Sequence, residues 1–162
     1  MPGISFAYPS TWNATAQSVP RHYETVLGLL GDGSFAEACP SDAQPGEFNT
    51  CVEQLSLEPD TVVVKVSSLQ LPTPAHMTEV QYQQWANPSA MPMLISGQRG
   101  VRQQLGEPMS GADEHWQWMV DVPGTPWEAY TIEAWLRGPH LDALRAQVDA
   151  LVASMTVQAP AP

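Results

Sequence analysis

The sequence predicts an α+β fold, a twisted antiparallel sheet of about six strands flanked by helices. Sixteen prolines interrupt the 162 residues, and because proline fits neither a helix interior nor a central strand, they leave room mainly for short elements. Residues 61–66 include three consecutive valines, which is typical of a strand buried on both faces. A clean helical stripe of apolar side chains follows only after Pro139.

The N-terminal part of the chain predicts two strands. In residues 4–8, large apolar side chains alternate with small ones, so Ile4, Phe6 and Tyr8 would share one buried face of a strand. A helical spacing also fits Tyr23, Val26, Leu27 and Leu30, but the β-branched and glycine residues within 25–30 favour a strand over that range.

The middle of the chain predicts a short helix followed by a set of antiparallel strands. Thr78 and Gln81 match a capping box, and Asn87 precedes a proline, so we expect a helix over residues 79–86. Glycine and proline turns then separate four apolar segments. The strands expected from these segments cover residues 93–96, 100–105, 115–122 and 130–136.

The C-terminal helix is expected to begin with Pro139 in its first position and to pack on the sheet. Its apolar stripe includes Leu144, Val148, Leu151 and Met155. We expect residues 1–157 to form a single globular domain and the Ala/Pro-rich residues 158–162 to form a disordered tail.

The composition excludes several classes of function. Seventeen carboxylates against six Lys and Arg residues give a net charge of −11, which repels nucleic acid and anionic membranes. The sequence contains no apolar run of the ~20 residues that cross a bilayer. Membrane association would therefore need a leader or lipid anchor lost from the N-terminus, and the abrupt start of the first strand leads us to expect such a loss.

The two cysteines, Cys39 and Cys51, flank a loop rich in Pro, Gly and Asp with little apolar content. We expect a disulfide between them, because closing a ring of this size is worth about 3 kcal/mol. Such bonds persist in oxidising compartments, which predicts an extracellular or cell-envelope location. The alternative is a pair of buried free thiols. A zinc site is not expected, because a second pair of ligands is missing.

Motifs for catalysis are absent from the sequence. The four histidines form no His-Glu-x-x-His motif, and neither a Gly-x-Ser-x-Gly elbow nor a phosphate loop occurs. We therefore expect no catalytic residue, no metal and no cofactor. Asp113, Glu114 and His115 place two carboxylates beside an imidazole, so the alternative is a hydrolase or metal-dependent enzyme that uses these three residues.

The six tryptophans favour a binding function. Trp116 and Trp118 would share the core side of one strand, which places His115 on its other side. Trp85 and Trp127 lie beside turns and are candidates for exposed binding aromatics. The predicted binding surface comprises Trp127, Tyr130 and His115. These observations predict a secreted or envelope-anchored, non-enzymatic binding or accessory domain, whose partner is an envelope protein or a glycan.

Three parts of the sequence resemble the PsbP-like family. They are Phe6-Ala-Tyr-Pro9 followed by Trp12, the valine strand after Glu58-Pro-Asp60, and Leu136-Arg-Gly-Pro139 with a helix that closes on Ser154-Met155. The resemblance covers nearly the whole chain and extends in particular to secreted bacterial domains, often lipoproteins. It implies an α/β/α sandwich that binds partners, and no family active site carries over. Such domains often have a further cysteine where this chain has Trp135, so no second disulfide is available.

Overall fold

The computed structural model describes residues 3–20, 23–32, 57–70, 77–106, 111–125 and 128–159. Nine strands and two helices lie within these residues. The strands are β1 (Ile4–Ser5), β2 (Asn13–Pro20), β3 (Glu24–Gly31), β4 (Thr61–Gln70), β5 (Met91–Ile95), β6 (Gln98–Gln104), β7 (Glu114–Asp121), β8 (Glu128–Arg137) and β9 (Thr156–Val157). The helices are α1 (Glu79–Ala86) and α2 (Leu141–Ala153).

Seven of the described strands form one antiparallel sheet in the order β2-β3-β4-β8-β7-β6-β5, and β1 pairs with β9 in a second sheet. Strands β4 and β8 pair along their full length, from Thr61 opposite Arg137 to Gln70 opposite Glu128. The side chains of β4 from Val62 to Ser67 are all buried. The α+β class and the central position of the valine strand are therefore confirmed.

One face of the large sheet packs against α2. Successive strand residues point to opposite faces, and the alternate apolar residues of β4, β7 and β8 meet the stripe of α2 in one buried cluster. Its members include Val62, Val64, Trp118, Tyr130, Ile132, Leu136, Leu144, Val148, Leu151, Val152 and Met155. The predicted apolar stripe of the C-terminal helix is confirmed.

The opposite face of the large sheet carries α1. Val80 of α1 is fully buried in a cluster with Val101, Met119 and Ala129. A separate apolar cluster lies toward the other end of the central strands and contains Leu29, Leu57, Val63, Ala112 and Trp135. Polar side chains cross the sheet between the two clusters, and helices flank both faces of the sheet, as predicted.

Two segments that carry the family resemblance meet where α2 begins. The Asp60 carboxylate accepts a hydrogen bond from the His140 backbone N at 3.2 Å and lies 3.0 Å from its ring Nδ1. Gly138 has a φ of 125° beside Asp60, where the Cβ of any other residue would collide with the Asp60 backbone. These contacts hold residues 138–140 outside the helix. The helix therefore begins at Leu141, and the expectation that Pro139 occupies its first position is wrong.

The N-terminal segment is only partly as predicted. Strand β1 pairs with β9 over two residues, and the chain then turns at Pro9, whose carbonyl accepts a hydrogen bond from Trp12 N. Ile4 and Phe6 pack against the core. The predicted strand over residues 4–8 ends early, at Ser5. Tyr8 is 43% exposed and therefore only partly buried, because the chain has already left the small sheet.

Candidate functional site

Asp113, Glu114 and His115, the residues of the enzymatic alternative, do not converge. Asp113 precedes β7, and its carboxylate accepts a hydrogen bond from Gly138 N at 2.8 Å. Glu114 and His115 are consecutive residues of β7 and therefore lie on opposite faces of the sheet. The three side chains consequently do not line one site.

Glu114 is bound by residues on the α2 side of the sheet. Its two carboxylate oxygens accept hydrogen bonds from Arg145 at 2.8 and 3.1 Å, and Oε2 accepts a third from the Trp116 indole at 2.6 Å. Burial acts to raise the pKa of Glu114, but Arg145 and Trp116 outweigh burial and lower that pKa. Glu114 is therefore a fixed anion that ties β7 to α2.

His115 lies on the α1 side of the sheet and stacks on Trp135. The ring centroids are 4.4 Å apart and the rings are nearly parallel, at 19°. The Nε2 atom of His115 lies 3.9 Å from Glu133 Oε2, which is too far for a direct hydrogen bond. The His115 side chain is 14% exposed, so it contributes little area to a surface.

Lys65 and Glu133 form the charged centre of this face. Lys65 is buried, and its Nζ lies 2.9 Å from Glu24 Oε1 and 3.0 Å from Glu133 Oε2. Burial acts to lower the pKa of Lys65, but Glu133 and Glu24 outweigh burial and raise it. Burial likewise acts to raise the pKa of Glu133, but the hydrogen-bonded charge of Lys65, with the His115 ring nearby, lowers it to about 2. Lys65 and Glu133 therefore both remain charged at neutral pH.

Hydrogen bonds extend this centre across the sheet to α1. Gln117 donates to Glu133 at 3.1 Å, Gln103 donates to Gln117 at 2.6 Å, and Asn87 donates to Gln103 at 2.7 Å. We call this connected set the polar row. Its members are Glu24, Lys65, Glu133, Gln117, Gln103 and Asn87. Because each side chain is bound by its neighbour, the polar row is a structural brace that ends at the C-terminal cap of α1.

Helix α1 is fixed to the sheet through one of its sides. Its N-terminus has the predicted capping box, in which Gln81 N donates to Thr78 Oγ1 and Thr78 N donates to Gln81 Oε1. Val80 is buried against the sheet, Gln83 accepts a hydrogen bond from Gln103, and Gln84 donates one to the Gly100 carbonyl. The side that faces the sheet is therefore occupied by one apolar anchor and two amides.

The outer side of α1 carries two exposed aromatic rings. Trp85 is 76% exposed and Tyr82 is 46% exposed. The two residues are three positions apart, so their side chains are neighbours on the helix surface. Their ring centroids are 6.1 Å apart and their planes are inclined at 43°. We call Tyr82 and Trp85 the aromatic pair.

A shallow groove lies on the other side of the molecule, between the N-terminal segment and α2. Its volume is about 400 Å³ and its walls are mainly apolar. The lining residues are Ala7, Tyr8, Pro9, Ala146, Gln147, Ala150 and Leu151. None of these lining residues carries a charged side chain.

The predicted binding surface is only partly visible in the structure. Tyr130 is fully buried in the core and cannot form part of a surface; burial, with the Glu128 charge, raises its pKa to about 12. Trp127 lies outside the described residues, as do Cys39, Cys51 and residues 160–162 of the predicted tail. The expectation of an exposed aromatic at Trp85 is confirmed.

Sequence reasoning misses the polar row, although one signal for it is present. Lys65 is the chain's only lysine, and it stands inside a run of valines. A lysine in a strand buried on both faces requires a carboxylate partner, because an unpaired buried charge is too costly. The alternation of β8 places Glu133 on the same face, but only the strand order shows that the two residues are neighbours.

Two further properties bear on the class of site. In the part of the chain that the structure describes, no three His, Cys, Asp or Glu side chains are grouped so that they could hold a metal ion. Neither described helix is long and apolar enough to cross a membrane.

Comparisons with known proteins show similarity of fold. Neither a protein-family model nor a curated protein matches the chain. The chain is similar to a solved structure from Bacteroides thetaiotaomicron VPI-5482, with 12% identity, a TM-score of 0.52, and coverage of 97% of this chain but only 46% of that one. It is also similar to LpqN of Mycobacterium tuberculosis, described as involved in cell envelope biogenesis, with 16% identity, a TM-score of 0.56, and coverage of 98% of this chain and 84% of LpqN. At these identities the similarity shows a shared α+β fold.

Proposed function

We propose that this protein is an exported, non-enzymatic accessory domain that binds an envelope protein or glycan through the outer side of α1. The observation that carries the proposal is the exposure of the aromatic pair, with Trp85 at 76% and Tyr82 at 46%. Large aromatic side chains are enriched in binding interfaces and dominate their energetics. Because the Trp85 ring is mostly exposed, it contributes little to the stability of the folded state. Its large apolar surface is instead available for contact with another molecule.

The way α1 is held supports a binding role. Val80, Gln83 and Gln84 attach the inner side of the helix to the sheet, and Asn87 ties its end to the polar row. Both ends of α1 are therefore fixed before any partner arrives. A rigid support lowers the ordering cost of binding, because fewer degrees of freedom remain to be lost.

The location of the protein is inferred from two independent lines. The fold is shared with LpqN, which is involved in cell envelope biogenesis, and the Cys39–Cys51 disulfide expected from the sequence would require an oxidising compartment. The resemblance to the PsbP-like family stays a prediction, and it favours the same class of function, since its members act by binding partners. The proposal is the same for a secreted protein and for one held at the envelope by a lipid.

An enzymatic role receives less support from the geometry. Asp113, Glu114 and His115 point in different directions, and Glu114 is held by Arg145 and Trp116. Lys65 is held in its charged form by two carboxylates, whereas a catalytic amine must lose its proton to act. We therefore do not assign the second candidate, a hydrolase or metal-dependent enzyme.

Site-directed photo-cross-linking tests the proposal by capturing whichever molecule contacts α1 in the cell. Benzoylphenylalanine is introduced in place of Tyr82, and the full protein is expressed from its own gene in its own organism. The matched control carries the same group at Ala143, an exposed position on α2 at the opposite face of the sheet. Digestion of the adduct with protease or glycoside hydrolase shows whether the captured molecule is a protein or a glycan.

We expect a discrete adduct at Tyr82, a reduced yield when Trp85 is also changed to Ala, and no discrete adduct at Ala143. Adducts of equal yield at the two positions would indicate random collisions and would overturn the proposal. So would the absence of any adduct at Tyr82 when the variant is folded and correctly located.

A further inference from the structure

We propose that the aromatic pair, together with Glu79, binds the positively charged side chain of a lysine or arginine in a basic segment of a partner protein. This inference rests on the proposed function, because it specifies the chemistry of the same surface. It goes beyond that function in two ways. The partner is a protein and not a glycan, and the group that contacts the rings is a cation and not an apolar side chain.

The positions of the three residues match the requirements of a cation site. Glu79, Tyr82 and Trp85 are spaced three residues apart, so they follow one another along the helix surface. A cation is attracted to the face of a Trp or Tyr ring within about 6 Å of its centroid. Glu79 supplies a carboxylate one turn before Tyr82, and a hydrogen bond of 2.8 Å from Gln83 holds that carboxylate in place.

The rest of the chain shows that its tryptophan rings accept cations. Arg102 lies over the rings of Trp116 and Trp118, at 4.4 and 5.4 Å from their centroids. Lys65 lies 5.9 Å from the centroid of Trp135. These three rings are thus each approached by a cation of the same chain. Among the described tryptophans, Trp12 and Trp85 have no such cation, and of these two only Trp85 is exposed.

Cations are few in this chain, and two of them are already paired with carboxylates. Lys65 is bound by Glu24 and Glu133, and Arg145 is bound by Glu114 and Asp142. The whole chain carries 17 Asp and Glu residues against six Lys and Arg residues. A protein with a net charge of −11 attracts a basic partner and repels an acidic one.

The ring geometry favours a basic protein segment over a glycan. The planes of Tyr82 and Trp85 are inclined at 43°, so the pair does not form one flat platform on which a sugar ring could lie across both residues. A cation needs no such platform, because its attraction to a ring depends on its distance and position over one face.

A titration with two matched peptides tests this inference on the purified full chain. One peptide carries three glycine-spaced arginines, and the other replaces each arginine with citrulline, which has nearly the same shape but no charge. Isothermal titration calorimetry measures the affinities of the wild type and of every variant. In the wild type, the indole N–H resonance of Trp85, assigned with the Trp85→Phe variant, shows whether the peptide binds at this ring. A neutral cello-oligosaccharide is titrated in parallel.

We expect the arginine peptide to bind at least about fivefold more tightly than the citrulline peptide, and Trp85→Leu to weaken its binding about two- to fivefold. Glu79→Gln should weaken binding at low salt. Glu58→Gln, which removes the same charge from an exposed position elsewhere in the chain, is the control and should leave the affinity unchanged.

Three results would overturn the inference. The first is that the two peptides bind with equal affinity. The second is that Glu79→Gln and Glu58→Gln weaken binding of the arginine peptide equally. The third is that the oligosaccharide shifts the Trp85 indole resonance and the arginine peptide does not. The photo-cross-link at Tyr82 separates this failure from that of the proposed function. If the cross-link forms while the peptides fail, only the choice of a cation is wrong; if neither is observed, both proposals fail.

Discussion

Lys65 and Glu133 lie directly opposite each other on the two central strands, with Lys65 Nζ 3.0 Å from Glu133 Oε2. The pair stands in a stretch of β4 in which every neighbouring side chain is buried. Lys65 is also paired with Glu24. On the other side, Glu133 accepts a hydrogen bond from Gln117, and the polar row continues from there toward α1. The same interaction therefore satisfies a buried charge and helps to position the proposed binding helix.

Removal of one partner of this pair should be strongly destabilising. We expect Lys65→Met to lower the free energy of unfolding by about 3–5 kcal/mol, because Glu133 would remain buried without its cation. Urea unfolding followed by circular dichroism gives the value. The double variant Lys65→Met/Glu133→Leu should recover much of the loss, since it removes both charges. An unchanged urea midpoint for Lys65→Met would show that the pair contributes nothing to stability.

The pKa of Glu133 predicts how stability depends on pH. This pKa is lowered from 4.5 to about 2 in the folded chain, so its contribution is present above pH 4.5 and is lost as the pH falls toward 2. The contribution is about 3 kcal/mol. The raised pKa of Lys65 acts in the opposite direction, since its contribution is present below pH 10.5 and is lost at higher pH.

Urea unfolding of the wild type and of Glu133→Gln at pH 7, 4.5 and 2.5 checks this pH dependence. The difference in stability between the two proteins should be largest at pH 7 and should shrink between pH 4.5 and 2.5. A constant difference over this range would contradict the assignment of the acid transition to Glu133.

The packing of α2 on the sheet gives a third prediction. Leu151 is almost completely buried in the core cluster, so Leu151→Ala should cost about 2–5 kcal/mol through lost contacts and the cavity left behind. Leu94→Ala is the matched control, because Leu94 is 75% exposed and should change stability by less than about 0.5 kcal/mol. Equal urea midpoints for the two variants would show that the stripe of α2 is not core.

The cysteines give a fourth prediction. We expect Cys39 and Cys51 to be oxidised in the exported protein, because their loop has little apolar content to hold it in place. Thiol titration under denaturing, non-reducing conditions should detect no free thiol. Two reactive thiols would remove the disulfide and, with it, one of the two arguments for export.

The elements that sequence reasoning predicts well are those with local signals. Helix α1 is predicted over residues 79–86, the range observed, because the capping box of Thr78 and Gln81 and the stop at Asn87 lie within ten residues of one another. The predicted strand at residues 130–136 lies within β8, where apolar residues alternate at a period of two.

The elements that sequence reasoning misses depend on distant parts of the chain. Strand β2 contains few large apolar residues and is defined by its pairing with β3, so its own sequence carries a weak signal. The polar row requires the order of β4, β8, β7 and β6, which no local pattern reveals. The burial of Tyr130 could have been predicted from the sequence. Tyr130 lies an even number of positions from Ile132 and Leu136 in the same strand, so it shares their face, which packs against α2.

The stability of Tyr82→Ala/Trp85→Ala tests most directly the central claim that the aromatic pair is a free surface and not part of the folded core. If these rings serve binding and not folding, their removal from the outer side of α1 should change the free energy of unfolding by less than about 0.5 kcal/mol in urea, as for other exposed sites. A loss of about 2 kcal/mol or more would be typical of buried aromatic contacts. That result would contradict the claim that the aromatic pair is a free surface kept for a partner.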